Sequence, residues 1–205
     1  MAMQKIVLAS NNPGKLREFA SLFAPLGIEL VPQGMLGVSE AEEPHVTFIE
    51  NALTKARHAA AATGLPALAD DSGLCVPILG GAPGVYSARY AARAGREKSD
   101  AANNRHLIEQ LAPHADTPGY RDAYYFAALV LVRHAEDPQP IIAEGRWDGE
   151  IVDDARGAHG FGYDPHFLIR SLNQTAAELD PAVKNAHSHR ARALRVLLEK
   201  LGREA

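Results

Sequence analysis

Lys5-Ile6-Val7-Leu8-Ala9-Ser10-Asn11-Asn12-Pro13-Gly14-Lys15-Leu16-Arg17-Glu18-Phe19 carries the reading that decides the fold. Residues 5–9 are short, apolar and β-branched, as in a buried strand. Residues 10–14 break that strand with turn chemistry, and a helix is expected to open at Lys15. Leu16, Phe19, Leu22 and Phe23 recur at helical spacing, and Gly27 is a suitable stop. Strand, polar loop, helix is the opening of an α/β unit.

Working outward, residues 31–43 read as a loop ending in Glu40, Glu42 and Glu43. Thr47 and Glu50 have capping-box spacing before an alanine-rich helix at 48–62, closed by Gly64. A second short strand at 66–69 runs into Asp70-Asp71-Ser72-Gly73, read as a turn, with extended chain at 74–79 and a glycine-rich loop at 80–84. Further expectations are a helix at 99–111 and strands at 124–132 and 140–144, neighbours in an antiparallel part of the sheet. Thr175 and Glu178 repeat the capping-box spacing, and Ser188 is placed to cap a last helix with Leu194, Leu197, Leu198 and Leu201 on one face. No repeat, low-complexity tract or linker interrupts the chain, so a single mixed α/β domain over residues 1–205 is expected.

Composition excludes several classes. At 46% hydrophobic and 22% charged, the chain is an ordinary globular sequence. A net charge of -4 provides no global basic field for nucleic acid. Cys75 stands alone, which rules out an intramolecular disulfide and fits a reducing compartment. The apolar run after Met1-Ala2-Met3-Gln4-Lys5 is too short for a signal segment or a membrane span, and a cytoplasmic location is expected.

Several segments could carry chemistry, each with a plain competitor. Ser10, Asn11, Asn12, Pro13, Gly14 and Lys15 lead into a helix N-terminus, whose free N–H groups and dipole favour phosphate. This is no Walker A loop, since Ala9 and Leu16 stand where its first glycine and its Ser/Thr belong. The competitor is an asparagine-rich turn with a solvated lysine. Asp70 and Asp71, at the carboxyl end of a strand, suit Mg²⁺ and the activation of water, against a self-bonded Asp turn. On a regular strand the two side chains would face opposite ways, so the turn is expected to re-aim one. Arg89, after Gly80-Gly81-Ala82-Pro83-Gly84, could meet phosphate or simply pack. In Gly160-Phe161-Gly162-Tyr163-Asp164-Pro165 the glycines free an aromatic to stack on a planar ligand, or the aromatic anchors a core. Lys184, His187, His189, Arg190 and Arg192 crowd one basic stretch, without a third ligand at zinc spacing.

Taken in order, these segments resemble the inosine triphosphate pyrophosphatase family, also called XTP/dITP diphosphatases, in its bacterial branch. The matching blocks are Ser10 to Lys15, Phe48-Ile49-Glu50-Asn51-Ala52 with Lys55-Ala56, Ala69-Asp70-Asp71-Ser72-Gly73-Leu74, Gly81-Ala82-Pro83-Gly84-Val85-Tyr86-Ser87-Ala88-Arg89-Tyr90, Gly160 to Pro165 and Ser188-His189-Arg190. Residues 92–100 offer least to compare.

The resemblance implies an elongated mixed sheet flanked by helices, with two lobes and the nucleotide in the cleft between them, and a homodimer. It implies Mg²⁺-dependent hydrolysis of XTP, ITP and dITP to the monophosphate and pyrophosphate. In it Ser10, Asn11, Asn12, Pro13, Gly14 and Lys15 cradle the triphosphate, and Asp71 accepts a proton and binds metal, with Ser72 touching substrate. Glu43 and Asp70 are further acidic positions near the metal. Phe161 stacks on the purine with Gly162, Tyr163 and Asp164 shaping its pocket, while Lys184, His189 and Arg190 close around base and phosphates. The competing expectations are a pyrophosphatase for modified pyrimidines and a non-catalytic nucleotide- or RNA-binding module.

Overall fold

The computed structural model describes residues 5–203. In chain order the elements are β1 (Lys5–Leu8), α1 (Pro13–Phe23), β2 (Glu29–Pro32), α2 (Phe48–Thr63), β3 (Ala67–Cys75), α3 (Tyr90–Arg93) and α4 (Asp100–Leu111). There follow β4 (Asp122–Val132), β5 (Ile141–Ile151), β6 (Phe167–Ile169), β7 (Gln174–Thr175), α5 (Pro181–His187) and α6 (His189–Arg203). The strands form one mixed, open sheet in the order β2-β1-β3-β4-β5-β6-β7. β1 is parallel to both β2 and β3, whereas β6 is antiparallel to both β5 and β7. Among the described residues no helix is long and apolar enough to cross a membrane.

The chain folds as two compact units. One comprises the chain up to Asp71, Ala127–Gly145 and the chain from His189 onward; the other comprises Ser72–Phe126 and Arg146–Ser188. In the first unit the alternation of strand side chains divides the core in two. Ile6, Leu8, Leu68, Leu129 and Leu131 face Phe19 and Phe23 of α1 and Leu194 and Leu197 of α6. Their neighbours Val7, Ala67, Ala69, Val130 and Val132 face Ala52, Ala56, Ala59 and Ala60 of α2. An alanine face lets that helix come close to the sheet, and the expected leucine stripe of α6 serves the opposite layer.

The second unit has one apolar sheet face. Leu74, Tyr125, Trp147, Ile151 and Phe167 are buried with Leu107 and Leu111 of α4. The rings of Tyr125 and Trp147 lie 4.6 and 5.6 Å from that of Phe167, inside the range for tilted aromatic pairs. The alternating burial of β5 leaves Arg146 and Asp148 exposed on the other side.

Four sequence expectations need correcting. α1 begins at Pro13, not Lys15, because Asn12 caps it and proline at the first helical position loses no hydrogen bond. β2 takes in the first two residues, Val31 and Pro32, of the segment read as loop; four residues are too few to show a period, and pairing with β1 makes the strand. Asp70-Asp71-Ser72-Gly73 is not a turn but the middle of β3. Gly73 is needed there for close approach, since a Cβ would stand 2.4 Å from the Gly84 carbonyl oxygen and the Ser87 hydroxyl. Finally, Thr175 and Glu178 start no helix: the Glu178 carboxylate accepts from the Thr175 amide, but Thr175 is committed to β7 and the next helix waits for Pro181.

Gly145 lets the backbone of α6 approach β5 closely. A Cβ there would lie 2.0 Å from the His189 carbonyl oxygen and 2.5 Å from the Ala193 nitrogen, both backbone atoms. Gly145→Ala is therefore expected to lower the unfolding free energy by about 1–3 kcal/mol through overpacking. Urea denaturation reads this directly; an unchanged midpoint would mean that α6 can shift to admit a methyl group.

Candidate active site

In the first unit the β1–α1 connection carries Ser10 to Lys15. The Asn12 side chain accepts from the Gly14 and Lys15 amides at 2.9 and 3.1 Å, so the cap itself uses two of the N–H groups a helix start would offer an anion. Ser10 is half-buried, and Asn11, Asn12 and Pro13 are exposed. Lys15 is not solvated: its Nζ lies 2.7 Å from Oδ2 of Asp70.

Asp70 and Asp71 point to opposite sides of β3, as the pleat demands. The Asp70 side chain is wholly buried and meets Lys15 and, at 3.5 Å, Nε of Arg190. Arg190 in turn donates through Nη1 to Glu18 at 2.6 Å. Asp71 turns toward α2, where Lys55 donates to its Oδ1 at 3.0 Å and Asn51 to its Oδ2 at 3.3 Å. Lys55 also donates to Glu43 at 2.7 Å and to the Asp70 carbonyl at 2.8 Å. Asn51 fixes the approach of the acidic segment by bonding both the amide and the carbonyl of His45.

These surroundings set the proton affinities apart. Burial pushes Asp70 up, but Lys15, Arg190 and Lys55 together outweigh it and hold its carboxyl well below the usual range. Burial also pushes Asp71 up; Lys55 and Lys15 oppose this only in part, Glu43 adds to it, and the net shift is upward. Lys15 is lowered by burial, which Asp70 does not fully offset, with Lys55 and Arg190 adding to the fall. Lys55 loses from burial but gains more from Asp71 and Glu43, and its net shift is upward. One aspartate is thus locked as a carboxylate, and its neighbour holds a proton more readily than usual.

The three carboxylates assigned to metal do not converge on one point. Glu43 and Asp71 meet on Lys55, while Asp70 is engaged by Lys15 and Arg190. Among the described residues no group of three or more His, Cys, Asp or Glu side chains is arranged around a common centre. Glu43 and Asp71 nonetheless fit a hard cation: they are oxygen donors already drawn together by one positive charge.

In the second unit the Gly160–Asp164 segment forms a self-supporting loop. The Asp164 carboxylate accepts from the Phe161 amide at 2.9 Å and from Lys184 Nζ at 2.7 Å. Lys184 Nζ also lies 5.2 Å from the centre of the half-buried Phe161 ring. Gly160 has φ +75°, and a Cβ there would stand 2.0 Å from the Asp164 carboxylate, so only glycine serves. Tyr163 is buried and donates to the Ser87 carbonyl at 2.9 Å; Ser87 Oγ accepts from the Leu74 amide, which ties the loop to the strand containing Ser72. Arg89 lies over the Tyr86 ring, with Arg93 closer still.

Residues 6–200 match the model of the Ham1 family. The chain belongs to the Ham1 family. It is 73% identical over 201 residues to the dITP/XTP pyrophosphatase of Burkholderia pseudomallei, covering 98% of this chain and 95% of that one. It is 66% identical over 199 residues to the dITP/XTP pyrophosphatase of Ralstonia nicotianae, at 97% of both chains. Among solved structures, a HAM1 protein from Coxiella burnetii matches with a TM-score of 0.88 and 47% identity, covering 99% of this chain and 100% of that one.

Within this Ham1 chain the structure brings Lys15, Glu43, Asp70, Asp71 and Arg190 into one network, and Phe161, Asp164 and Lys184 into another. His189, buried at the start of α6, belongs to the first unit, and Ser72 and Lys184 to the second. Three members of the first network had no role from sequence: Glu18, Asn51 and Lys55. A signal for two of them existed, since Asn51 and Lys55 are polar residues one turn apart on an otherwise alanine-rich helix.

The two aspartates should respond oppositely to neutralisation. A depressed carboxyl stabilises the fold above its ordinary pKa and loses that contribution as pH falls; a raised one costs the fold when ionised. Asp70→Asn leaves Lys15 buried without its counter-charge and Arg190 with Glu18 in place of two carboxylates, and is expected to cost about 3–5 kcal/mol at neutral pH. Asp71→Asn should cost far less. Urea unfolding of both variants in chelator decides it, and equal losses would sink the division of roles.

Proposed function

We propose that this Ham1-family chain hydrolyses non-standard purine nucleoside triphosphates, XTP, ITP and dITP, to the nucleoside monophosphate and pyrophosphate. The observation that carries this reading is Asp71, a buried carboxylate of raised proton affinity, one residue from a buried ion cluster that includes the lysine of the Ser10–Lys15 loop. The names of the Burkholderia and Ralstonia relatives support the substrate class.

Asp71 takes a proton from a water as it attacks the α-phosphorus; the bond from that phosphorus to the α,β-bridging oxygen breaks, and pyrophosphate leaves. Lys55 and Asn51 hold its two carboxylate oxygens in one orientation for that transfer. Asp71 and Glu43 would hold Mg²⁺, which when bound supplies charge neutralisation for the phosphate oxygens. Asp70 is less suited to the metal because two cations already claim it, and its role is to hold Lys15 in place. Ser10, Asn11, Asn12, Pro13, Gly14 and Lys15 receive the phosphates, and Ser72 touches substrate beside Asp71.

Phe161 offers its ring to the purine, worth about 1–3 kcal/mol by stacking, with Gly162, Tyr163, Asp164 and Lys184 setting its position. The 6-oxo group of inosine and xanthine accepts a hydrogen bond where adenine's 6-amino group donates one. A donor such as His189 therefore favours these bases over adenine, and readout of this kind discriminates by roughly 10⁴–10⁵; guanine shares the 6-oxo group, so its rejection acts on the 2-amino substituent. Arg190, already bonded to Asp70 and Glu18, contributes mainly by fixing that cluster. Such an enzyme would work in the cytoplasm as a homodimer, keeping deaminated purines out of DNA and RNA.

Product release from XTP, dITP, ITP, GTP and ATP, with and without Mg²⁺, is the direct test. Pyrophosphate and monophosphate should appear from the deaminated purines alone, and only with metal. Asp71→Asn should abolish that turnover while nucleotide binding persists. Turnover confined to another nucleotide would overturn the base assignment, and metal-dependent turnover retained by Asp71→Asn would remove this residue from the chemistry.

A further inference from the structure

The first turns of α4 hold Gly162, the residue that follows Phe161. Ser99 caps α4, its side chain accepting from the Ala102 amide, and Leu107 and Leu111 root the helix in the core of the second unit. One turn apart on its surface stand Asp100 and Asn104. Oδ2 of Asp100 accepts from the Gly162 amide at 2.8 Å. Nδ2 of Asn104 donates to the Gly162 carbonyl at 2.9 Å and to the Asp100 carbonyl at 2.9 Å. Donor and acceptor of a single residue are thus both gripped by one helix face.

That grip acts at the residue between Phe161 and the buried anchor Tyr163. Gly162 has φ +64°, a left-handed conformation, and nothing lies within 4 Å of the place a Cβ would occupy. Glycines on both sides of Phe161 make the free loop conformationally rich. The Phe161 amide is anchored on one side by Asp164, and the Gly162 amide on the other by Asp100. Two consecutive N–H groups ending on two different carboxylates fix the peptide planes on either side of the Phe161 side chain. A ring held in this way binds a base without first spending affinity on ordering the loop.

We propose that Asp100 and Asn104 are base-positioning residues, which set the orientation of Phe161 and with it the affinity for the purine. This rests on the stacking role given to Phe161 under the proposed function. It also assigns a function to the segment around residue 100, where the resemblance to the family was thinnest.

Asp100 is exposed, so its truncation leaves the core intact. D100A is expected to raise KM for ITP and XTP about two- to tenfold, the worth of one hydrogen bond, with kcat changed less than twofold. D100N keeps an oxygen acceptor and should recover most of the loss, and N104A should act in the same direction. In an F161A background D100A should change nothing further, because its effect passes through the ring; additive losses in this cycle would mean an independent structural role and overturn the proposal. F161A raising KM while D100A leaves it unchanged would overturn this proposal alone. An unchanged KM in F161A would remove the stacking reading and this inference with it.

Discussion

Asp70 is a carboxylate with no exposure to solvent, and the first unit is arranged around that fact. An ion so placed is tolerated only when opposite charge reaches it. Lys15 comes from the first turn of α1 and Arg190 from the first turn of α6, while Glu18 on α1 satisfies the far side of the arginine. Both helices also lie on the same apolar layer through Phe19, Phe23, Leu194 and Leu197. The hydrophobic layer brings the helices to the sheet, and the ion cluster specifies which of their residues face β3. Gly145 belongs to the same constraint, since it lets the backbone of α6 approach β5 at the turn that carries His189 and Arg190.

Strand geometry then turns one aspartate pair into two different groups. A period of two sends Asp70 toward α1 and α6 and its neighbour toward α2. Asp70 meets strong positive charge and is fixed as an anion; Asp71 meets a lysine shared with Glu43 and an amide, and burial prevails. Adjacent carboxylates on one strand thus come to hold protons with different affinity. The alanines of α2 have a part in this: a helix that close to the sheet brings Asn51 and Lys55 within hydrogen-bonding reach of β3.

The second unit solves a different problem, holding an aromatic ring at the surface. Its sheet packs one face against α4 and leaves the other to Arg146, Asp148 and Arg170. The loop bearing Phe161 buries only Tyr163 in the core of this unit. It is otherwise tied down by polar contacts from Asp164, Lys184, Asp100, Asn104 and Tyr163. Such contacts are directional, and they fix the orientation of the peptide groups on either side of the Phe161 ring.

The sequence alone was enough for the strand–loop–helix opening, the helix at 48–62 with its Thr47 cap and Gly64 stop, α4, and the leucine stripe of α6. Each of these is a local pattern, decided by residues within one or two turns of each other. The family followed from the order of its motifs, and Asp71, Phe161 and Lys15 were named from them. Only the tertiary structure decided that β2 is a strand, that the two aspartates lie in mid-strand on opposite sides, and that Lys15 is buried against Asp70. It alone brought Glu18, Asn51, Lys55, Asp100 and Asn104 to groups far away along the chain. The physical reason is the same throughout: propensity and periodicity act over a few residues, whereas the field at a carboxylate depends on whichever charges the fold carries to it.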